Sequence, residues 1–188
     1  MPDTSLFEYL LVIPLDDPVL SEIEDLKAKY KAEQTSTASI TSPHITLANV
    51  VQPLSIEGIL INMYKRVAAG MSPFSVQLSG FGRFTGPTNT IFVNVHNGEQ
   101  ISDFVKYIRR SSKPILQRGG GYSPVYSLTP HLTIARGISE AEFKEAWPSW
   151  QTRAYDATSF VSKMRLLKRQ VSQYQIVTHL WQTSRLKV

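Results

Sequence analysis

The segment Ser42-Pro43-His44-Ile45-Thr46-Leu47-Ala48 recurs 87 positions later as Thr129-Pro130-His131-Leu132-Thr133-Ile134-Ala135, and this duplication constrains the fold of the 188-residue chain more than any other feature. Each copy alternates polar and aliphatic residues. In a strand, where successive side chains change faces, His44 and Thr46 share one face and Ile45 and Leu47 the other, as do His131 and Thr133 against Leu132 and Ile134. The flanks repeat as well. Phe7 precedes His44 by 37 positions and Phe92 precedes His131 by 39, while Phe74 and Phe160 follow the two histidines by 30 and 29. One domain over residues 1–188 is expected, built from two similar lobes at about 1–85 and 86–188. If a pseudo-twofold axis relates them, the two His-Thr faces meet across one cleft. The imidazoles should then lie roughly 5–8 Å apart, within reach of one phosphate.

Hydrophobic periodicity gives mixed strands and helices. Residues 6–13 form an apolar run ended by Pro14, and Val19, Leu20, Ile23, Leu26 and Tyr30 then recur at helical spacing. A Thr/Ser-rich loop at 35–42 leads to the first His-Thr strand. Ile56, Ile59, Leu60, Met63, Tyr64 and Val67 mark a second helix, closed by Gly70 and Pro73. Residues 74–78 and 90–95 read as strands flanking a glycine-containing turn. Ile101, Phe104, Val105 and Ile108 mark a third helix, which should end or kink before Pro114. After the second motif, Phe143, Ala146 and Trp147 suggest a short fourth helix, and strands at 160–167 and 174–181 complete the sheet.

Composition narrows the partners. Twenty Lys and Arg against 15 Asp and Glu give a net charge of +5 and a pI near 9.5, which favours an anionic partner. With no cysteine, disulfides and thiol nucleophiles are excluded, and a reducing cytoplasm fits. No apolar stretch approaches ~18 residues and no basic leader precedes the first apolar run. A cytoplasmic monomer without a membrane partner is expected.

Two imidazoles and two hydroxyls on rigid strands suit acid/base work on a phosphate ester. Imidazole, with a pKa near ~6.5, serves in either protonation state around neutrality, so a rate profile with two limbs near neutral pH is expected. His96 and His179 lack a threonine two positions on and read as ordinary surface or core histidines. Gly80 and Gly82 lack the Gly-Lys-Ser/Thr ending of a phosphate loop, so a bend or turn is the better reading. No histidine pair has zincin spacing and no carboxylate cluster accompanies the motifs, so no metal is expected. Lys163, Arg165, Lys168 and Arg169 form a basic run in which Lys163 and Arg165 share a face and could guide a polyanion. Phe7 and Tyr9 are read as core residues ahead of base-stacking ones. Tyr122 and Tyr126, in a Gly- and Pro-rich loop before the second motif, are the better candidates for contact with a nucleoside.

The opening Leu6-Phe7 strand, both Pro-His-x-Thr motifs, Leu78-Ser79-Gly80-Phe81-Gly82-Arg83-Phe84 and Ala135-Arg136 together resemble the two-histidine phosphoesterase superfamily, in the group related to 2′-5′ RNA ligases and cyclic phosphodiesterases. The resemblance implies a LigT-like α+β fold, two-lobed and duplicated about a pseudo-twofold, with antiparallel-rich sheets forming a central cleft and helices outside. It implies that His44 and His131 act as general acid and base without metal or other cofactor, that Thr46 and Thr133 hold non-bridging phosphate oxygens, and that Arg136 neighbours the phosphate. Asn49-Val50-Val51 replaces the aromatic and glycine-containing continuation common in RNA-ligase-like members, and the last strands lack a glycine often found before the final tyrosine. The implied substrate is a 2′,3′-cyclic phosphate or 2′-5′ phosphodiester in RNA or a nucleotide-derived molecule. A nucleotide- or RNA-binding module with little turnover, and RNA ligation by the reverse chemistry, are the alternatives.

Overall fold

The alternation of aliphatic and polar residues in the two motifs becomes the centre of an antiparallel sheet. The computed structural model describes residues 5–34, 42–171 and 182–187. Along them run β1 (Leu6–Pro14), α1 (Val19–Glu33), β2 (His44–Pro53), a 3-10 turn (Leu54–Ile56), α2 (Glu57–Ala69), β3 (Phe74–Phe84), β4 (Asn89–His96) and α3 (Glu99–Leu116). There follow β5 (Val125–Tyr126), β6 (His131–Ile138), α4 (Glu140–Gln151), β7 (Asp156–Val161), β8 (Lys163–Gln170) and β9 (Gln182–Lys187). The sheet order is β7-β3-β4-β6-β2-β1-β8-β9, with β5 paired to β2. This is the expected two-lobed α+β fold, and every strand pairing among the described residues is antiparallel.

Reading outward from the β6–β2 seam, β4 mirrors β1 and β3 mirrors β8. The registers repeat to the residue. Thr46 faces Val12, which faces Arg165; Thr133 faces Phe92, which faces Gly82. Both halves carry a register shift at the equivalent place, between Leu11 and Val12 and between Ile91 and Phe92. A bulge bends its strand and raises the local twist, so each histidine strand curves at one matched point.

The sheet does not divide at residue 85. β3, from the first half of the chain, lies beside β4, while β8 and β9, from the last, extend the sheet beyond β1. Phe74 and Phe160, whose spacings from the two histidines agree, therefore sit on directly paired strands, with Ser75 opposite Phe160. The strand expected at 160–167 is two strands separated by Ser162. Buried Val161, Met164 and Leu166 show the break, because the period-2 alternation changes phase between the first and the other two. Phe160 is exposed. The strand expected at 174–181 falls outside the described residues, as do His179 and most of the loop at 35–42.

Two breaker signals resolve differently from expectation. Pro114 lies inside α3 rather than ending it. A helix proline costs ~3 kcal/mol, but burial of an aliphatic side chain contributes about 1.5–3 kcal/mol, and Leu116, beyond the proline, is buried with Ile115 packed beside it. The glycine segment is no turn between strands: β3 runs through it to Phe84, with a register shift between Leu78 and Phe81. Gly80, at φ +60°, supplies the left-handed residue of that irregularity.

The connecting helices tie the halves together. α1, which follows β1, packs against β6 of the opposite half, and α3, which follows β4, packs against β2. Trp150 of α4 is fully buried, with its ring 5.7 Å from Tyr30 of α1 and 5.0 Å edge-on from Phe81 of β3. Among the described residues no helix is long and apolar enough to cross a membrane. Because Trp150 joins α4, α1 and β3, Trp150→Ala should lower the stability of the whole fold by about 3–5 kcal/mol. Urea unfolding should show a lower midpoint with an unchanged slope, and a loss below ~1 kcal/mol would show that this contact is peripheral.

Candidate active site

Ile45 and Leu132 are paired across the central seam, and both are fully buried. Their neighbours must point to the other face. The register then sets His44 across from Thr133 and Thr46 across from His131. Such side chains have Cβ atoms about 4.5–5.5 Å apart across a pair and about 7–8 Å apart on the diagonal. Two imidazoles and two hydroxyls therefore form one cluster, on the diagonals of which the histidines face each other.

Both histidines are held alike. His44 Nδ1 lies 2.7 Å from the Ser42 carbonyl oxygen and His131 Nδ1 lies 2.8 Å from that of Thr129. A carbonyl only accepts, so Nδ1 carries the proton and Nε2 keeps the exchangeable site. The intervening Pro43 and Pro130 have a fixed φ and restrict the residue before them to extended backbone, which holds the carbonyl against the ring.

The rings differ in surroundings. His131 packs edge-on to Phe84 at 4.8 Å and lies 5.1 Å from Phe92; burial lowers its pKa, against the Thr129 hydrogen bond. His44 is lowered to about 4, first by burial and then by the charges of Lys27 and Arg136, with the Ser42 carbonyl opposing and His131 adding repulsion. Lys27, only 4% exposed, is itself pushed down to about 8, by burial first and by Arg136 second, with Glu24 opposing. Lys27 was not among the residues expected from sequence. Its signal was present: it completes the buried stripe Val19, Ile23, Lys27, Tyr30 of α1, where a lysine at a core position asks for a reason.

Arg136 of β6 is exposed, and its charge acts on both His44 and Lys27. Through Val12, Arg165 shares the face of Thr46. Its buried Nε has no hydrogen-bond partner among the described residues. Of the remaining basic run, Lys163 pairs with Asp16 at 2.5 Å, Lys168 with Glu57 and Arg169 with Glu8. The matched position in the other half is Gly82, where a Cβ would lie 2.4 Å from Phe92 Cε2 and 2.5 Å from Asn94 Oδ1. The glycine is thus what lets Phe92 take its place beside His131.

Other candidates lie elsewhere. Tyr9 is buried and donates to Glu57 at 2.9 Å, and the Lys168 ammonium sits 4.3 Å from the Phe7 ring centre, so neither ring is an open platform. Tyr122 and Tyr126 line a separate cavity beside α3. His96 is exposed at the end of β4, where it lines a separate hollow with Ser79 and Asp156. Among the described residues no three His, Cys, Asp or Glu side chains converge.

The depressed pKa of His44 has a stability consequence. Between about pH 6.5 and about pH 4 the unfolded chain binds a proton at His44 that the folded protein does not, so stability falls as pH falls through that window. His44→Gln should flatten this part of the curve. Urea midpoints at about pH 7 and about pH 4.5 should show a smaller difference for the variant than for the parent, and equal differences would contradict the assigned surroundings of His44.

The family model of the 2′-5′ RNA ligase superfamily matches residues 15–173. A "Putative phosphoesterase" of Bacillus pumilus is 22% identical over 161 residues, covering 85% of this chain and 86% of its own. Among solved structures, TT0787 of Thermus thermophilus superposes with a TM-score of 0.69 at 16% identity, covering 96% of this chain and 97% of its own. Escherichia coli LigT complexed with 3′-AMP gives 0.64 at 15% identity, over 97% and 96% respectively.

Proposed function

The chain belongs to the 2′-5′ RNA ligase superfamily, and from that starting point we propose that it is a phosphoesterase that opens 2′,3′-cyclic phosphates, or cleaves 2′-5′ phosphodiesters, in RNA or nucleotide-derived substrates by two-histidine acid/base catalysis. The observation that carries this reading is the Ile45–Leu132 pairing, which sets both imidazoles, each anchored through Nδ1, on one face with two threonines. The crystal structure of LigT complexed with 3′-AMP and the structure of Kluyveromyces marxianus Usb1, with a TM-score of 0.52, with uridine monophosphate support a nucleotide phosphate as the ligand class.

His44 is the base. Burial first, and then the charges of Lys27 and Arg136, keep its Nε2 unprotonated, and this nitrogen takes the proton of a water that attacks phosphorus. His131, whose pKa is lowered by burial without those cations, is the acid. A bound phosphate restores its proton, and Nε2–H delivers it to the ribose oxygen as the P–O bond breaks, leaving a phosphomonoester. Thr46 and Thr133 donate hydrogen bonds to the non-bridging oxygens. Arg136 and the unpaired edge of Arg165 hold the charge that develops there. A ribose hydroxyl in place of that water, deprotonated by the same base while the same acid protonates the departing ribose oxygen, is instead joined to the phosphorus of the cyclic phosphate.

His44→Ala and His131→Ala should each lower kcat on a 2′,3′-cyclic nucleotide by ~10²-fold or more, with smaller losses for Thr46→Ala and Thr133→Ala. The histidine double variant should be little worse than the worse single one, because the pair acts as a unit. Near-parental turnover in either histidine variant would defeat the mechanism.

The lowered pKa values move the pH profile from the neutral range that bare imidazoles suggest. In kcat/KM, which reports the free enzyme, the base limb should fall at about 4 for His44 and the acid limb below the usual ~6.5 for His131. In kcat both limbs should move up, since the bound phosphate favours the protonated rings. EDTA should leave both profiles unchanged. Activity that vanishes on chelation and returns with Mg²⁺, Mn²⁺ or Zn²⁺ would replace this account with a metal-dependent one.

A further inference from the structure

A well-formed concavity on the described surface does not contain the histidines. It is a groove of about 660 Å³ between the last turns of α3 and the loop at 120–128. Arg109 and Lys113 line one wall. They are four residues apart on a helix and therefore on one face, with Cβ atoms about 5–6 Å apart. Tyr122, Val125 and Leu128 line the other wall and are 63%, 68% and 47% exposed. Tyr126 forms the floor, its hydroxyl 2.6 Å from that of Ser112 and the Arg109 guanidinium 6.0 Å from its ring centre. Among the described residues no carboxylate lines this groove, although lysines and arginines elsewhere on the surface pair with acids.

The groove is built onto the two histidine strands. Tyr126 pairs with Ala48, two residues beyond Thr46, and Ser127 N–H donates to the Leu47 carbonyl at 3.0 Å. Three residues after Tyr126, the Thr129 carbonyl holds the His131 ring. Only four residues separate Tyr126 from His131, a span of no more than about 18 Å when extended.

We propose that this groove binds single-stranded RNA, holding the nucleotides that lead away from the phosphate in the histidine cluster, so that the preferred substrate is an oligonucleotide end rather than a free nucleotide. The proposal rests on the phosphoesterase reading for its direction, though the groove's affinity for RNA can be measured without turnover. The two cations form a rail for successive backbone phosphates. The exposed tyrosine offers a flat face to a base, and neighbouring Val125 and Leu128 cover the apolar edge of the next. Aromatic faces beside a positively charged track bind single strands with little sequence preference. A chain with net charge +5 that places two cations here with no carboxylate in the lining directs this surface toward a polyanion.

Binding is measured by anisotropy with a labelled oligouridylate of about eight nucleotides ending in a 3′-phosphate, against uridine 3′-phosphate as competitor, over a salt series. Turnover is measured on uridine 2′,3′-cyclic phosphate and on the same oligomer with a cyclic end. The oligomer should bind at least ~10-fold more tightly than the mononucleotide. In the double variant Arg109→Gln/Lys113→Gln its affinity should fall about 10-fold, and the slope of log K against log salt should lose ~1.4, or ~0.7 for each cation. Tyr122→Ala, at an exposed position, should weaken the oligomer without reducing the salt slope. Turnover of the cyclic mononucleotide should be unchanged in all variants. Equal binding of oligomer and mononucleotide, or unchanged oligomer affinity in both variants, would overturn the proposal. So would a variant that instead converts a sedimenting dimer to monomer, since that assigns the groove to a second copy. Tight oligomer binding with no turnover of any substrate would leave the groove standing and defeat the reaction. Turnover without preference for the oligomer would do the reverse.

Discussion

The backbone pairing of Ile45 with Leu132 is the contact on which the rest of the site depends. It is the register that joins the two halves of the sheet at the seam. A slip of either strand by one residue would turn its histidine toward the helices and its aliphatic residues toward the cleft, so that the two histidines no longer shared a face. That slip is opposed from below, where α1 and α3 each pack under the opposite half's histidine strand and Ile45, Leu47, Leu132 and Ile134 are all buried. The stability of the core and the alignment of the cluster are therefore one constraint. The matched bulges, one beside each motif, add curvature where the two faces must turn toward each other.

Much of this was legible in the sequence because it rests on local periodicity. The alternation in 44–47 and 131–134 assigned the faces of the four site residues, and the i, i+3, i+4 stripes located four helices close to where they occur. What was not legible was partnering between distant segments. Phe74 and Phe160 stand at matching distances from the histidines, yet they lie on neighbouring strands of one half, because β8, reached across Ser162, takes the place beside β1. The faces of Arg165 and Gly82 follow from that exchange. No local pattern reveals that both stand two strands from a site threonine. Lys27 escaped notice for a different reason, since a lysine in an apolar stripe reads as a tolerated exception until the strand above it is known.

Near-symmetry of backbone coexists with asymmetry of charge. Both rings are half-buried and both donate through Nδ1 to a carbonyl two residues earlier, but His44 also feels Lys27 and Arg136, whereas His131 is packed by Phe84 and Phe92. The matched pair Arg165 and Gly82 extends the contrast outward, cationic in one half and aromatic in the other. A duplicated scaffold thus supplies two similarly held imidazoles, and side chains outside the repeated motif give them different surroundings. In acid/base catalysis that difference separates the two roles.

The central claim is that both imidazoles address one phosphate. Proton NMR titration of the His44 and His131 ring signals, without ligand and then saturated with a nucleoside 3′-phosphate, tests it directly. The account predicts that both pKa values rise together on binding, because one anion lies within reach of both Nε2 atoms and favours their charged forms. A rise at one histidine alone, or at neither while the nucleotide is bound, would contradict it.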